Sequence, residues 1–103
     1  MLDRRQHTRH PVALPVSVST AQRRERVGVT RDLSVTGVLF HSASAFTPGE
    51  AVQIRIALAR EAERVAHGVV VRSFEDPSPE HVLRKVTAVR FEHEVAEVDL
   101  LLS

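Results

Sequence analysis

Cysteine, tryptophan and tyrosine are absent from this chain, glycine and phenylalanine number four each, and no apolar run approaches the length that crosses a membrane. Each absence removes a class of protein. Without cysteine there are neither disulfides nor thiolate metal sites, and a reducing compartment is compatible with that. Without tyrosine or tryptophan there is little on which bases can stack. Phe40, Phe46, Phe74 and Phe91 mostly fall inside apolar runs, which argues against a groove for single-stranded nucleic acid. Asp3, Arg4 and Arg5 have no apolar stretch behind them, so the start does not read as a signal peptide. The expectation is a soluble cytoplasmic protein with no membrane insertion.

Catalytic chemistry is equally hard to assemble. The histidines His7, His10, His41, His67, His81 and His93 show no metal-site spacing and no acid at a fixed offset, and they read as surface or loop residues. No nucleophile–base pair, metal cluster or phosphate-cradling glycine loop can be built. Neither an enzyme nor a resident metal or cofactor is expected.

What is present suits one domain, since 103 residues can bury a modest core and leave no room for a second. The formal charge of +1 hides an asymmetry. Residues 1–32 hold seven arginines against three acids, a net of four positive charges, which leaves the remainder at minus three. A positive field at that end favours a small dianion as ligand. Arg23, Arg24 and Arg26 read as a solvated hairpin.

Residues 1–10 lack periodicity and read as an extended arm. From Val12 the chain alternates, with Val12, Leu14, Val16 and Val18 on one side, and Pro15 in this strand belongs at an edge or a bulge. A second strand near Arg26–Arg31 leads to Asp32, and Val38-Leu39-Phe40-His41 forms a third. Thr47-Pro48-Gly49 is a turn. Val52, Ile54, Ile56 and Leu58 then alternate with Gln53, Arg55 and Ala57, the pattern of a strand with one wet face. After a tight hairpin at Ala59–Glu63, the strand Val65–Phe74 contains Gly68 and the unbroken run Val69-Val70-Val71, so its alternation slips and a bulge is expected. Pro77 and Pro79 mark a loop, and Val82–Phe91 is the last strand, with Thr87 on its inward face.

The period then changes to helical over 92–102, where Val95, Val98 and Leu102 recur on one side. About six short strands separated by turns indicate an all-β fold, a small six-stranded antiparallel β-barrel spanning 12–91, since closure removes exposed edges. A short C-terminal α-helix caps one mouth, and an extended N-terminal arm precedes the barrel. Leu100-Leu101-Leu102 leaves apolar surface over, so a second copy of the chain is a candidate partner.

Two polar stretches stand apart from this scaffold. Arg4-Arg5-Gln6-His7-Thr8-Arg9 places guanidinium groups at Arg5 and Arg9, and Asp32-Leu33-Ser34-Val35-Thr36-Gly37 places an acid, a hydroxyl and a glycine at fixed offsets on a turn. A guanidinium fork can take a phosphate or the O6/N7 edge of guanine, and a carboxylate can accept from guanine ring N–H groups. The order and separation of R-x-x-x-R at Arg5–Arg9 and D-x-S-x-x-G at Asp32–Gly37 resemble the PilZ domain family, bacterial receptors for the second messenger cyclic di-GMP. The resemblance covers essentially the whole chain and implies the same barrel.

It further implies a non-catalytic receptor in which Arg5 and Arg9, with Arg4 as a third contact, fold over the nucleotide. Asp32, Ser34 and Gly37 would line the barrel side of the site, Gly37 through a positive φ or close approach of ligand to backbone. A downstream protein partner would read the change in the arm. The last strand departs from the family at Thr87-Ala88-Val89-Arg90-Phe91, where a glycine is common before the aromatic. The alternative is a PilZ-like interaction adaptor that binds no nucleotide, although adaptors typically lose one or other motif.

Overall fold

The computed structural model describes residues 7–78 and 82–102. Six strands, β1 (Pro15–Ser19), β2 (Arg26–Ser34), β3 (Gly37–Ser42), β4 (Ala51–Ala59), β5 (Ala62–Glu75) and β6 (Lys85–Phe91), are followed by a helix, α1 (Glu97–Leu102). They form a closed barrel in the order β1-β2-β3-β6-β5-β4, with antiparallel neighbours throughout. Closure leaves no free edge, and Pro15 is accommodated as the first residue of β1, where pairing with β4 has not yet begun.

Alternation drives the inward face. Val16 and Val18 of β1, Val38 and Phe40 of β3, and Val52, Ile54, Ile56 and Leu58 of β4 are all buried and belong to one core. Burying a side chain such as Phe40 or Ile54 contributes about 1.5–3 kcal/mol before cavity effects. Phe46, from the loop after β3, stands edge-on to Phe40 with centroids 6.0 Å apart. Arg23 lies over the Phe46 ring and donates to the Ala45 carbonyl at 2.6 Å. That arginine is therefore a clamp on the loop rather than a solvated hairpin residue.

The hairpin between β4 and β5 turns at Arg60-Glu61, within the span expected. The turn at Gly49 uses a φ of 92°, a conformation that glycine supplies without steric cost. The helix is shorter than the 92–102 span expected, because the Val95 N–H donates to the Val35 carbonyl at 2.9 Å and ties that segment to the β2–β3 turn. From Glu97 the chain winds, with Val98 fully buried and Val95 and Leu102 packed partly against the core. Leu100 and Leu101 stay exposed.

One histidine expected on the surface or in a loop is in neither place, since it lies buried in β3. His41 is 6% exposed, with Nδ1 3.2 Å from the Leu83 carbonyl, because the segment around Leu83 covers the outer side of β3. His10 Nε2 lies 2.9 Å from Asp99 Oδ1, joining the arm to α1 across 89 residues, an offset no local spacing reveals.

Candidate functional site

The outer wall of the barrel carries a cleft of about 460 Å³ whose lining includes Arg9, Asp32, Gly37, Leu39, Arg72 and Arg90. Its floor follows from strand register. Asp32 of β2 pairs with Leu39 of β3, Leu39 with Ala88 of β6, and Ala88 with Arg72 of β5. The four residues form one row across four strands, with an acid at one end, a base at the other and small or apolar residues between. Three strand spacings make that row roughly 14 Å long.

Bulges set both ends of the row. Register shifts between Thr30 and Asp32, leaving Arg31 as the extra residue. Thr30 is buried, so strict alternation would turn Asp32 inward, and the extra residue brings it out to the cleft. On β5 the shift falls between Val70 and Arg72. Val70 is 1% exposed, and the additional Val71 likewise turns Arg72 outward. This is the bulge expected from the Val69-Val70-Val71 run.

The arm meets the cleft at the Asp32 end. His10 exchanges both backbone hydrogen bonds with Leu33, at 2.7 and 3.0 Å, and Thr30 N–H donates to the Leu14 carbonyl at 2.9 Å. The Leu14 N–H reaches Thr30 Oγ1 at 2.8 Å, and that hydroxyl donates to the Val12 carbonyl. With the chain fixed along β2 in this way, Arg9 donates from Nη2 to Asp32 Oδ1 at 2.6 Å. The Arg9 side chain is 58% exposed and that of Asp32 22%, so the pair sits at the rim and contributes about 0–1 kcal/mol to stability. His7 Nε2, two residues earlier, stands 3.7 Å from Glu94 Oε2.

Ser34 and Gly37 occupy the β2–β3 turn in different ways. Ser34 is 1% exposed, and its Oγ accepts from the Thr36 N–H at 3.2 Å and lies 3.1 Å from Thr36 Oγ1. Its hydroxyl is engaged within the turn. Gly37 has no positive φ. A Cβ built there would lie 2.5 Å from the Val89 carbonyl oxygen, so what its missing side chain permits is close approach of the β6 backbone.

Arg9, Asp32 and Gly37 thus share one cleft, and Ser34 shapes the turn beside it. Arg4 and Arg5 lie outside the described residues. Sequence reasoning missed Arg72 and Arg90, which line the cleft from β5 and β6. An arginine on the wet face of a strand carries no local mark of function, and only the closed strand order puts these two opposite the D-x-S-x-x-G turn. A carboxyl of shifted acidity lies away from the cleft. Hydrogen bonding from its own backbone, and then the Arg64 guanidinium, hold the Glu97 carboxyl below its ordinary range.

A closed six-stranded barrel with an arginine-bearing arm bonded to an acidic turn defines a recognisable class of domain. The family model for the PilZ domain matches residues 3–102, and the chain belongs to that family. Among solved structures, it is similar to the inhibitor of motility MotI/DgrA of Bacillus subtilis, with a TM-score of 0.72, 21% identity and coverage of 98% of this chain and 49% of that one. This chain therefore spans about half the length of that protein. It is also similar to the PilZ domain with c-di-GMP of YcgR from Escherichia coli, with a TM-score of 0.69, 17% identity and coverage of 97% and 86%. No curated protein sequence matches. At these identities the structural likeness bears on the fold alone, which is the barrel expected from the alternation.

Proposed function

We propose that this domain is a non-catalytic receptor for cyclic di-GMP. The observation that carries the reading is the Arg9–Asp32 hydrogen bond, which joins the two sequence motifs at the rim of one cleft. A guanine edge offers each member of that pair a better partner. Its N1–H and N2–H groups donate to the Asp32 carboxylate, and its O6 and N7 accept from the Arg9 fork. Adenine lacks those ring donors, so Asp32 supplies base choice. Ser34 serves by holding the turn that presents Asp32, and Gly37 by letting β3 and β6 close beneath the ligand.

Arg4 and Arg5 complete the set from the arm. Arg9 lies four residues after Arg5, and that step reaches at most about 14 Å, about the length of the cleft's central row. The His10–Leu33 bonds anchor the arm's end, so residues before His10 close over the nucleotide while those after it stay in place. A partner protein then reads the closed arm. The domain works as a soluble cytoplasmic module of a bacterial signalling system and needs no cofactor beyond its ligand. Dimerisation through exposed Leu100 and Leu101 remains a separate proposal, tested by sedimentation.

Titration calorimetry with cyclic di-GMP, with cyclic di-AMP as control, tests the receptor reading. Binding of the first alone is expected, and loss of at least tenfold in affinity on Arg5→Ala with Arg9→Ala. No heat and no thermal shift with the guanine dinucleotide would sink it. Amide exchange of residues 3–10 is expected to slow on binding, and unchanged exchange would remove the closing arm from the mechanism.

A further inference from the structure

The cleft has cations on strands that carry neither sequence motif. Arg72 and Arg90 line it from β5 and β6, and among the described residues neither guanidinium makes an ion pair or a hydrogen bond. Arg72 faces outward only because the Val71 bulge resets the alternation of β5. The Phe74 ring, two residues on, lies 5.4 Å from its guanidinium carbon and restrains that side chain, reducing the entropy lost when it takes a ligand. Arg90 pairs with Gly37, so no side chain stands across from it on β3.

The charge balance of the lining is also uneven. Arg9, Arg72 and Arg90 face a single carboxylate, Asp32, and Arg9 already engages that acid. The β5–β6 end is therefore positive without compensation, while Leu39 and Ala88 form a floor on which a flat ring can lie.

We propose that Arg72 and Arg90 form the phosphate-binding end of this cleft, each pairing with a phosphodiester of a cyclic dinucleotide whose guanine edge is held at Asp32. The assignment rests on the receptor reading above and adds to it a division of labour. The arm arginines serve the base edges, and the strand arginines serve the ring's two negative charges. A dianion matches this end because two unpaired cations stand together on the exposed wall of the cleft.

Glutamine at each position keeps length and polarity and removes charge. In titrations of the full chain with cyclic di-GMP, Arg72→Gln and Arg90→Gln each weaken binding about tenfold, and the double variant about a hundredfold. The double variant also loses less affinity than wild type when salt is raised from about 50 to about 300 mM. Lysine at both positions restores most of the affinity, because a phosphodiester accepts a point charge where a guanine edge needs the planar fork. Wild-type affinity and salt dependence in the double glutamine variant would overturn the assignment. Lysine variants as weak as the glutamine ones would overturn it too, by assigning these arginines to a base edge. Failure of the unmodified chain to bind is a different result, visible before any variant is made, and it defeats the receptor reading itself. Melting curves of each variant establish that the barrel is intact.

Discussion

Two clefts of nearly equal size lie against one short stretch of β2, and their chemistry is opposite. The one at Asp32 measures about 460 Å³ and is lined by Arg9, Arg72 and Arg90 among others. Its neighbour measures about 470 Å³ and is lined mainly by apolar residues, among them Pro11, Val12, Val29, Val82 and Leu83. The Arg31 bulge separates them, since Arg31 lines the apolar cleft and Asp32 the charged one. The arm divides likewise, giving Arg9 to one and Pro11, Val12 and Ala13 to the other. Size alone would not choose between them as a nucleotide site. Hydrogen-bonding capacity chooses, because a guanine edge and two phosphodiesters leave unmet donors and acceptors wherever the wall is apolar.

The largest effect that sharpens this contrast concerns the frame of the charged cleft rather than its charges. Gly37→Ala pushes a methyl group into the Val89 carbonyl, and the β3–β6 ladder must give way. Overpacking of this kind costs about 1–3 kcal/mol, a fall in Tm on the order of 10 °C for a domain of this size. Asp32→Ala removes only a rim ion pair, so its melting point is expected to stay close to wild type. Equal melting of Gly37→Ala and wild type would show that close strand approach is not what the glycine provides.

Next in size is the effect on the ligand. Asp32→Ala is expected to weaken cyclic di-GMP binding about a hundredfold, the loss of charge-assisted hydrogen bonds to two guanine N–H groups. Val82→Asp, at a residue 91% exposed in the apolar cleft, is expected to leave that affinity within about twofold, since a substituent on the far side of the bulge meets the ligand only through screened charge. If titration returns the opposite pattern, the clefts exchange roles, and the adaptor alternative with its apolar docking surface gains the ground that the receptor reading loses.

How much of this was legible in the sequence depends on the range of the interaction. Strand alternation in Val52–Leu58, the turn at Gly49 and the bulge after Gly68 are local, and each is written in a few neighbouring residues. The Arg31 bulge is not, because Val27, Val29 and Leu33 are compatible with an uninterrupted strand until β3 fixes the register. His10 and Asp99 meet only after the barrel closes and α1 folds back over its mouth. Arg72 and Arg90 were invisible for the same reason. Their value lies in strand order, and strand order is set by long-range pairing rather than by composition. The D-x-S-x-x-G turn was legible as a motif, yet what Ser34 and Gly37 touch is the turn itself and the β6 backbone.

The smallest effect lies where both clefts share support. The arm that borders them is bonded through His10 to Asp99 on α1, and α1 is tied to β5 by Arg64 Nε and Glu97 Oε2 at 3.1 Å. Glu97 is half-exposed and lines neither cleft, so its removal disturbs neither directly. Its carboxyl is held below the ordinary value of 4.5 in the folded chain, first by its own backbone and then by Arg64. A depressed carboxylate adds stability above its unfolded pKa, and that increment fades as pH falls through the folded one. Glu97→Gln should therefore melt slightly below wild type at pH near 7, and the gap should close as pH is lowered below the ordinary carboxylate range. Cyclic di-GMP affinity near pH 7 should not change. A gap independent of pH would show that Glu97 supports α1 through packing rather than charge, and a change in affinity would show that the arm transmits the state of the helix to the charged cleft.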